Sequence, residues 1–248
     1  MKTYFKTQIF PTPYEAAERL AMDLIRFVEN LLVFRDNLYI ALSGGNSYTL
    51  MFEIIAKEFS TSMNWEKLHF FWVDERCVPF TNEESNYGNA YRILFSKVPI
   101  PPQNLHFIHG SDDPVNEVVR YTGEVLTVVP CTNNYPCFDL ILLGMGIDGH
   151  TASIFPGQSG LFDTTSICTQ SQHPETHQKR ITLSGKSINN ALAVAFLVFG
   201  KDKANMLKLI FTDDPDIDPF PAKKICLKNG CPAWYIDYEA SIYVNLKE

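Results

Sequence analysis

LYIALSGGNSYTLMFEIIAKEF, residues 38–59, decides the fold. Its first five residues are an unbroken apolar run of strand length, two glycines stop it, and apolar residues then return at helical spacing. This is a strand, a loop and a helix. Because the strand lacks polar alternation, both of its faces must be covered, as in a parallel sheet.

The same unit recurs along the chain. LHFFWVDER (68–76) reads as a strand, and SNYGNAYRILF (85–95) as a helix after a polar loop. PVNEVVRYTGEVLTVV (114–129) has helical spacing and leads to FDLILLGMGIDGHTASIFPG (138–157), which opens as a buried strand and breaks into glycines. ALAVAFLVFG (191–200) is a further buried strand before the helix KDKANMLKLIF. Upstream, Ala17, Leu20, Ala21, Leu24, Ile25, Val28, Leu31 and Leu32 mark a helix over residues 14–34, with Thr12 and Pro13 suited to its start. RITL (180–183) and PAWYID (232–237) add short strands, while residues 157–179 are polar and give no clear element. Alternating strands and helices predict an α/β fold: a mostly parallel sheet flanked by helices on both faces. No repeat or linker interrupts residues 1–248, so a single domain is expected. Ligands of such sheets sit beyond the carboxyl ends of the strands.

Composition narrows the function. A chain of 248 residues with 46% hydrophobic content can bury a real core. Its net charge of −7 opposes nucleic-acid binding, which needs a basic face. An acidic protein that binds a phosphorylated metabolite must gather a few basic groups locally, against its overall field. The N-terminal MKTYFKTQIFPTPYEAAERL is too often interrupted by charges and prolines for a signal peptide, and no stretch reaches membrane-spanning length. Cys77, Cys131, Cys137, Cys168, Cys226 and Cys231 are scattered, without zinc spacing, and read as reduced thiols of a cytoplasmic protein.

Three loops at strand ends could carry chemistry. In LSGGNS (42–47), Gly44 and Gly45 let backbone N–H groups approach an anion at a helix N-terminus, and Ser43, Asn46 and Ser47 add side-chain donors; plain helix capping is the other reading. In VDERCVPFTNEESNY (73–87), Asp74, Glu75 and Arg76 end an aromatic strand, and such charges either pair with one another or face a cleft; an ordinary solvated strand end is the other reading. In the third loop His150 can exchange protons near neutral pH, Gly149 permits a sharp turn, and Asp148 either orients His150 or touches a substrate hydroxyl. Arg180 and Lys203 are the basic groups placed to meet a phosphate. His173 and His177 in HPETH have the separation of a metal pair, but Pro174 opposes a helix there and no third ligand is apparent, so no metal is expected.

Taken together, ALSGG, FFWVDERCVP, ESNYGNA, LLGMGIDGHTASIFPG, RITL, the lysine of GKDKA and PAWYID resemble the 6-phosphogluconolactonase family, a branch of the group that includes glucosamine-6-phosphate isomerase/deaminase. The resemblance covers nearly the whole chain in order. It implies a Rossmann-like α/β fold, no required cofactor, and hydrolysis of 6-phosphoglucono-δ-lactone in the oxidative pentose phosphate pathway. The Asp-Gly-His element is common to the group, but TASIFPG after His150 and Arg76 after Asp74-Glu75 are similar to the lactonases rather than the isomerases. The chain departs from the pattern twice. Tyr48 stands where SGGSTP has proline, and SQHPETHQKR replaces a Lys-Pro-Pro segment, leaving His173 or Lys179 as stand-ins for that lysine.

The expected mechanism needs no covalent nucleophile, since the serines lack a GxSxG setting. His150 activates water, Arg76 stabilises the oxyanion, and Asp148 and Glu75 position His150 and Arg76 respectively. Gly44, Gly45, Arg180 and Lys203 hold the phosphate. In the isomerase alternative, Asp74 shuttles a proton between adjacent carbons. The expected partner is one small phosphorylated lactone, bound by a monomer without nucleic acid or membrane.

Overall fold

The computed structural model describes residues 5–212, 220–228 and 230–244; the first four residues of the N-terminal stretch analysed above lie outside the described residues. The chain opens with β1 (Gln8–Phe10) and α1 (Pro13–Leu32), whose N-cap Thr12 accepts from the Glu15 backbone N–H while the Glu15 carboxylate accepts from the Thr12 N–H. The unit that decides the fold follows as β2 (Leu38–Leu42) and α2 (Asn46–Glu58). Next come β3 (Leu68–Trp72), β4 (Asp74–Arg76), α3 (Asn86–Ile93), β5 (Leu105–His106) and α4 (Pro114–Val128). A small hairpin of β6 (Cys131–Thr132) and β7 (Tyr135–Pro136) precedes β8 (Leu140–Leu143), α5 (Gly160–Asp163), β9 (Cys168–Gln172) and β10 (Lys179–Leu183). The chain continues through α6 (Gly185–Asn189), β11 (Val194–Val198), α7 (Ala204–Phe211), β12 (Ala233–Asp237) and α8 (Tyr238–Ser241).

The central sheet has the order β1-β12-β11-β8-β2-β3-β5, and every pair in it is parallel. All residues of β8, β11 and β12 are buried, so both faces of the sheet are covered, as the apolar runs require. One hydrophobic cluster joins the helices and the sheet. No helix among the described residues is long and apolar enough to cross a membrane.

The expected single strand over residues 68–76 is two strands. At Val73 the chain leaves the parallel sheet, and β4 pairs antiparallel with β10, which in turn pairs with β9, forming a separate three-stranded sheet. RITL thus belongs to this second sheet, whereas PAWYID runs through the central one. The polar stretch 157–179 supplies α5 and β9, whose partly exposed, polar residues carried no apolar signal.

Candidate active site

Loops at the carboxyl ends of β2, β8 and β11 meet the small antiparallel sheet around a cavity of about 420 Å³, a size suited to a sugar phosphate. Its lining includes Ser43, Gly44, Gly45, Asn46, Ser47, Asp74, Arg76, His150, Arg180 and Lys203. Ten of the twelve site residues read from the sequence therefore meet here. Glu75 and Asp148 stand behind the lining.

The glycines of the first loop serve different ends. Gly45 has φ +93°, where a side chain would be strained. At Gly44, a Cβ would collide with the Asn86 side chain. Asn86 donates from Nδ2 to the Asp74 carbonyl at 2.9 Å, so Gly44 lets α3 close against the loop. Tyr48 has a role no proline could supply: its fully buried hydroxyl donates to the Leu143 carbonyl at 2.9 Å, tying the start of α2 to the end of β8. Burial pushes that phenol well above its ordinary pKa, so it remains a donor. Ser43 Oγ is buried without a partner.

In the second loop, Glu75, expected to position Arg76, meets its backbone and not its guanidinium. Its carboxylate, nearly fully buried, accepts from the backbone N–H groups of Arg76, Asn86 and Tyr87 at 2.8–2.9 Å and from Ser85 Oγ at 3.0 Å. It thereby caps the start of α3. Burial pushes its pKa up and these four donors oppose the rise without cancelling it. Arg76 instead donates to the Glu84 carbonyl. Arg180 lies directly opposite Arg76 in the β4–β10 register. Burial and, next, the Arg76 charge lower the Arg180 pKa. The Nε atoms of both arginines are buried without an acceptor among the described residues. Like charges opposed across a ladder repel, so this pair favours an anion between or beside them.

The third loop orients its imidazole. Asp148 Oδ1 lies 2.6 Å from His150 Nδ1 and also accepts from the His150 backbone N–H at 3.2 Å. With Nδ1–H donating to the carboxylate, Nε2 is left as the acceptor nitrogen. Burial pushes the Asp148 pKa up, but its hydrogen bonds and the His150 charge outweigh this and hold it below the usual range. Gly149, at φ +80°, turns beside Met206 and Phe220, and Phe155 packs on the His150 ring at 4.7 Å. On the remaining side, Lys203 ends the 3-10 turn Lys201–Lys203, with Asp202 Oδ2 3.8 Å from its Nζ.

The chain's residues 11–234 match the family model described as glucosamine-6-phosphate isomerases/6-phosphogluconolactonase. This chain belongs to that family. A 6-phosphogluconolactonase of Haemophilus influenzae is 40% identical over 232 residues, covering 93% of this chain and 96% of its own. The crystal structure of a protein called devB superposes with a TM-score of 0.91 at 36% identity, covering 97% of this chain and 99% of that one. A 6-phosphogluconolactonase structure from Thermotoga maritima gives 0.80 at 29% identity, covering 94% and 99%.

Within this family fold, the two departures resolve differently. Tyr48 is accommodated by its bond to β8, but neither His173 nor Lys179 lines the cavity. His173 Nδ1 accepts from the backbone of Glu175 and Thr176, closing the turn between β9 and β10, and its ring packs against Phe155. Neither takes the place of the family lysine there. Sequence reasoning also passed over Asn86, Ala152, Phe199 and Asp202, all in the lining. Asn86 had one available signal, a polar residue two positions past the acidic loop at a helix start.

Proposed function

We infer that the protein hydrolyses 6-phosphoglucono-δ-lactone to 6-phosphogluconate. The observation that carries this reading is the convergence, in one cavity, of an Asp-oriented imidazole and two guanidiniums that make no ion pair among the described residues. His150 Nε2 takes a proton from water as the water oxygen adds to C1 of the lactone. Arg76 holds the oxyanion that forms on the carbonyl oxygen. When the intermediate collapses, the C1–ring oxygen bond breaks and His150 returns its proton to that oxygen, leaving a hydroxyl and a carboxylic acid that loses its remaining proton to solvent. The phosphate lies on the Gly44-Gly45 loop at the N-terminus of α2 with Lys203 and Arg180, and this remote anchoring fixes C1 in register. Because the groups from both sheets line one cavity, residues 1–248 are read as a single catalytic domain, and we propose a monomeric, cytoplasmic enzyme.

The isomerase alternative uses Asp74 as a proton shuttle in the same cavity. Separate incubation with 6-phosphogluconolactone and glucosamine 6-phosphate, each against a protein-free blank, discriminates them. Lactone opening far above its blank with no amine release supports hydrolysis; the reverse pattern overturns it.

A further inference from the structure

Two guanidiniums and a carboxylate share one face of the β4–β10 ribbon. Arg76 is opposite Arg180 and Asp74 opposite Thr182 in the register. Residues two apart on a strand and partners directly opposed project to the same side. A buried carboxylate beside half-buried guanidiniums ordinarily closes an ion pair with one of them. Among the described residues no direct ion pair joins Asp74 to either arginine. Asp74 Oδ2 instead accepts from the Ser153 hydroxyl at 2.5 Å, and Ser153 is wholly buried. That distance is typical of a strong charge-assisted O–H···O⁻ bond.

Ser153 is itself held in place. Its N–H donates to Thr182 Oγ1 at 3.3 Å, its carbonyl accepts from Ser171 Oγ, and Ala152 before it adopts φ +52°, a conformation non-glycine residues seldom take. The catalytic loop is thus bent so that Ser153 turns into the second sheet while His150 faces the cavity. We propose that Ser153 is a positioning residue: its hydroxyl draws the Asp74 carboxylate away from Arg76 and Arg180, leaving the charge of both guanidiniums for the anionic groups of the substrate. This rests on the reading that the cavity takes a sugar phosphate. Without the hydroxyl, Asp74 turns to the guanidiniums that share its face of the ribbon and quenches them.

The test is calorimetric binding of 6-phosphogluconate to the full chain, which needs no turnover. Ser153→Ala should bind roughly tenfold more weakly than wild type, the loss of one hydrogen bond to a charged group. In an Asp74→Asn background, where no carboxylate remains to quench the arginines, adding Ser153→Ala should change affinity by less than about twofold. Equal losses in both backgrounds, or wild-type affinity in Ser153→Ala, overturn the inference. Should Ser153→Ala fail to fold, Ser153→Cys keeps a weaker donor of similar shape and is judged in the same two backgrounds. If wild type does not bind 6-phosphogluconate, the sugar-phosphate reading fails first and this inference with it.

Discussion

The cavity has two walls of opposite construction. One is made by loops leaving β2, β8 and β11 of the parallel sheet, and it contributes backbone amides, an imidazole and a lysine. The other is a face of the antiparallel β4–β10 ribbon and contributes Asp74, Arg76 and Arg180 directly from strands. The inner strands of the parallel sheet are buried on both sides, where an unpaired charge is costly, so chemistry there gathers in the turns after them. A ribbon whose side chains alternate between faces can display charges at every second residue. On the proposed mechanism both arginines come from the antiparallel sheet, while the base and the lysine come from loops of the parallel one.

If the walls divide the work in this way, removing the base has the largest effect. His150→Ala should lower kcat by roughly two to four decades with modest change in KM; a near-normal kcat would strip the parallel-sheet wall of its chemical role. On the ribbon, Arg76→Ala should cost roughly 10²–10³ in kcat, whereas Arg180→Ala should mainly raise KM. Identical kcat and KM patterns for the two would merge their roles into one anion clamp, which their opposed register makes a sharp comparison.

The first wall was largely legible in the sequence. Its apolar runs ended in Gly44-Gly45 and in Gly146 to Gly149, and loop chemistry follows strand ends by simple rules. The second wall was only partly so. Asp74, Glu75 and Arg76 looked like one charged strand end, but their side chains separate: Asp74 and Arg76 line the cavity while Glu75 caps α3. The break at Val73, where the chain changes sheets, left no mark in an aromatic run that reads through it. The pairing of β4 with β10 joins residues about a hundred positions apart, and long-range register cannot be read from local periodicity. His173 and Lys179 do not line the cavity: His173 sits in the turn after β9, which has no apolar pattern to place it, and Lys179 is the exposed first residue of β10, one position before the RITL run.

The two glycines sharpen the account of the first wall. Gly44→Ala forces Asn86 away and so disturbs the seam between the walls, whereas Gly45→Ala meets open space and bears only the cost of its positive φ, about 1–2 kcal/mol. KM should therefore rise more for Gly44→Ala, roughly tenfold, than for Gly45→Ala, and the opposite order would remove Asn86 from the seam. The smallest effect concerns acid. The Asp148 carboxyl is held below its ordinary pKa in the folded protein, so the stability it contributes is complete above about pH 4 and is lost as pH falls through the depressed value. Thermal scans from neutral to acid pH should show wild type losing slightly more Tm than Asp148→Asn; parallel slopes would mean that the pair adds no folded-state stability.

The central claim is that C1 of the substrate lies between His150 and Arg76 while the phosphate rests on the glycine loop. A crystal structure with 6-phosphogluconate bound tests it most directly. The account predicts the product carboxylate within hydrogen-bond reach of His150 Nε2 and the Arg76 guanidinium, with phosphate oxygens on the Gly44-Gly45 amides and Lys203. A product bound the other way round, with its phosphate against His150 and its carboxylate on the glycine loop, would contradict it.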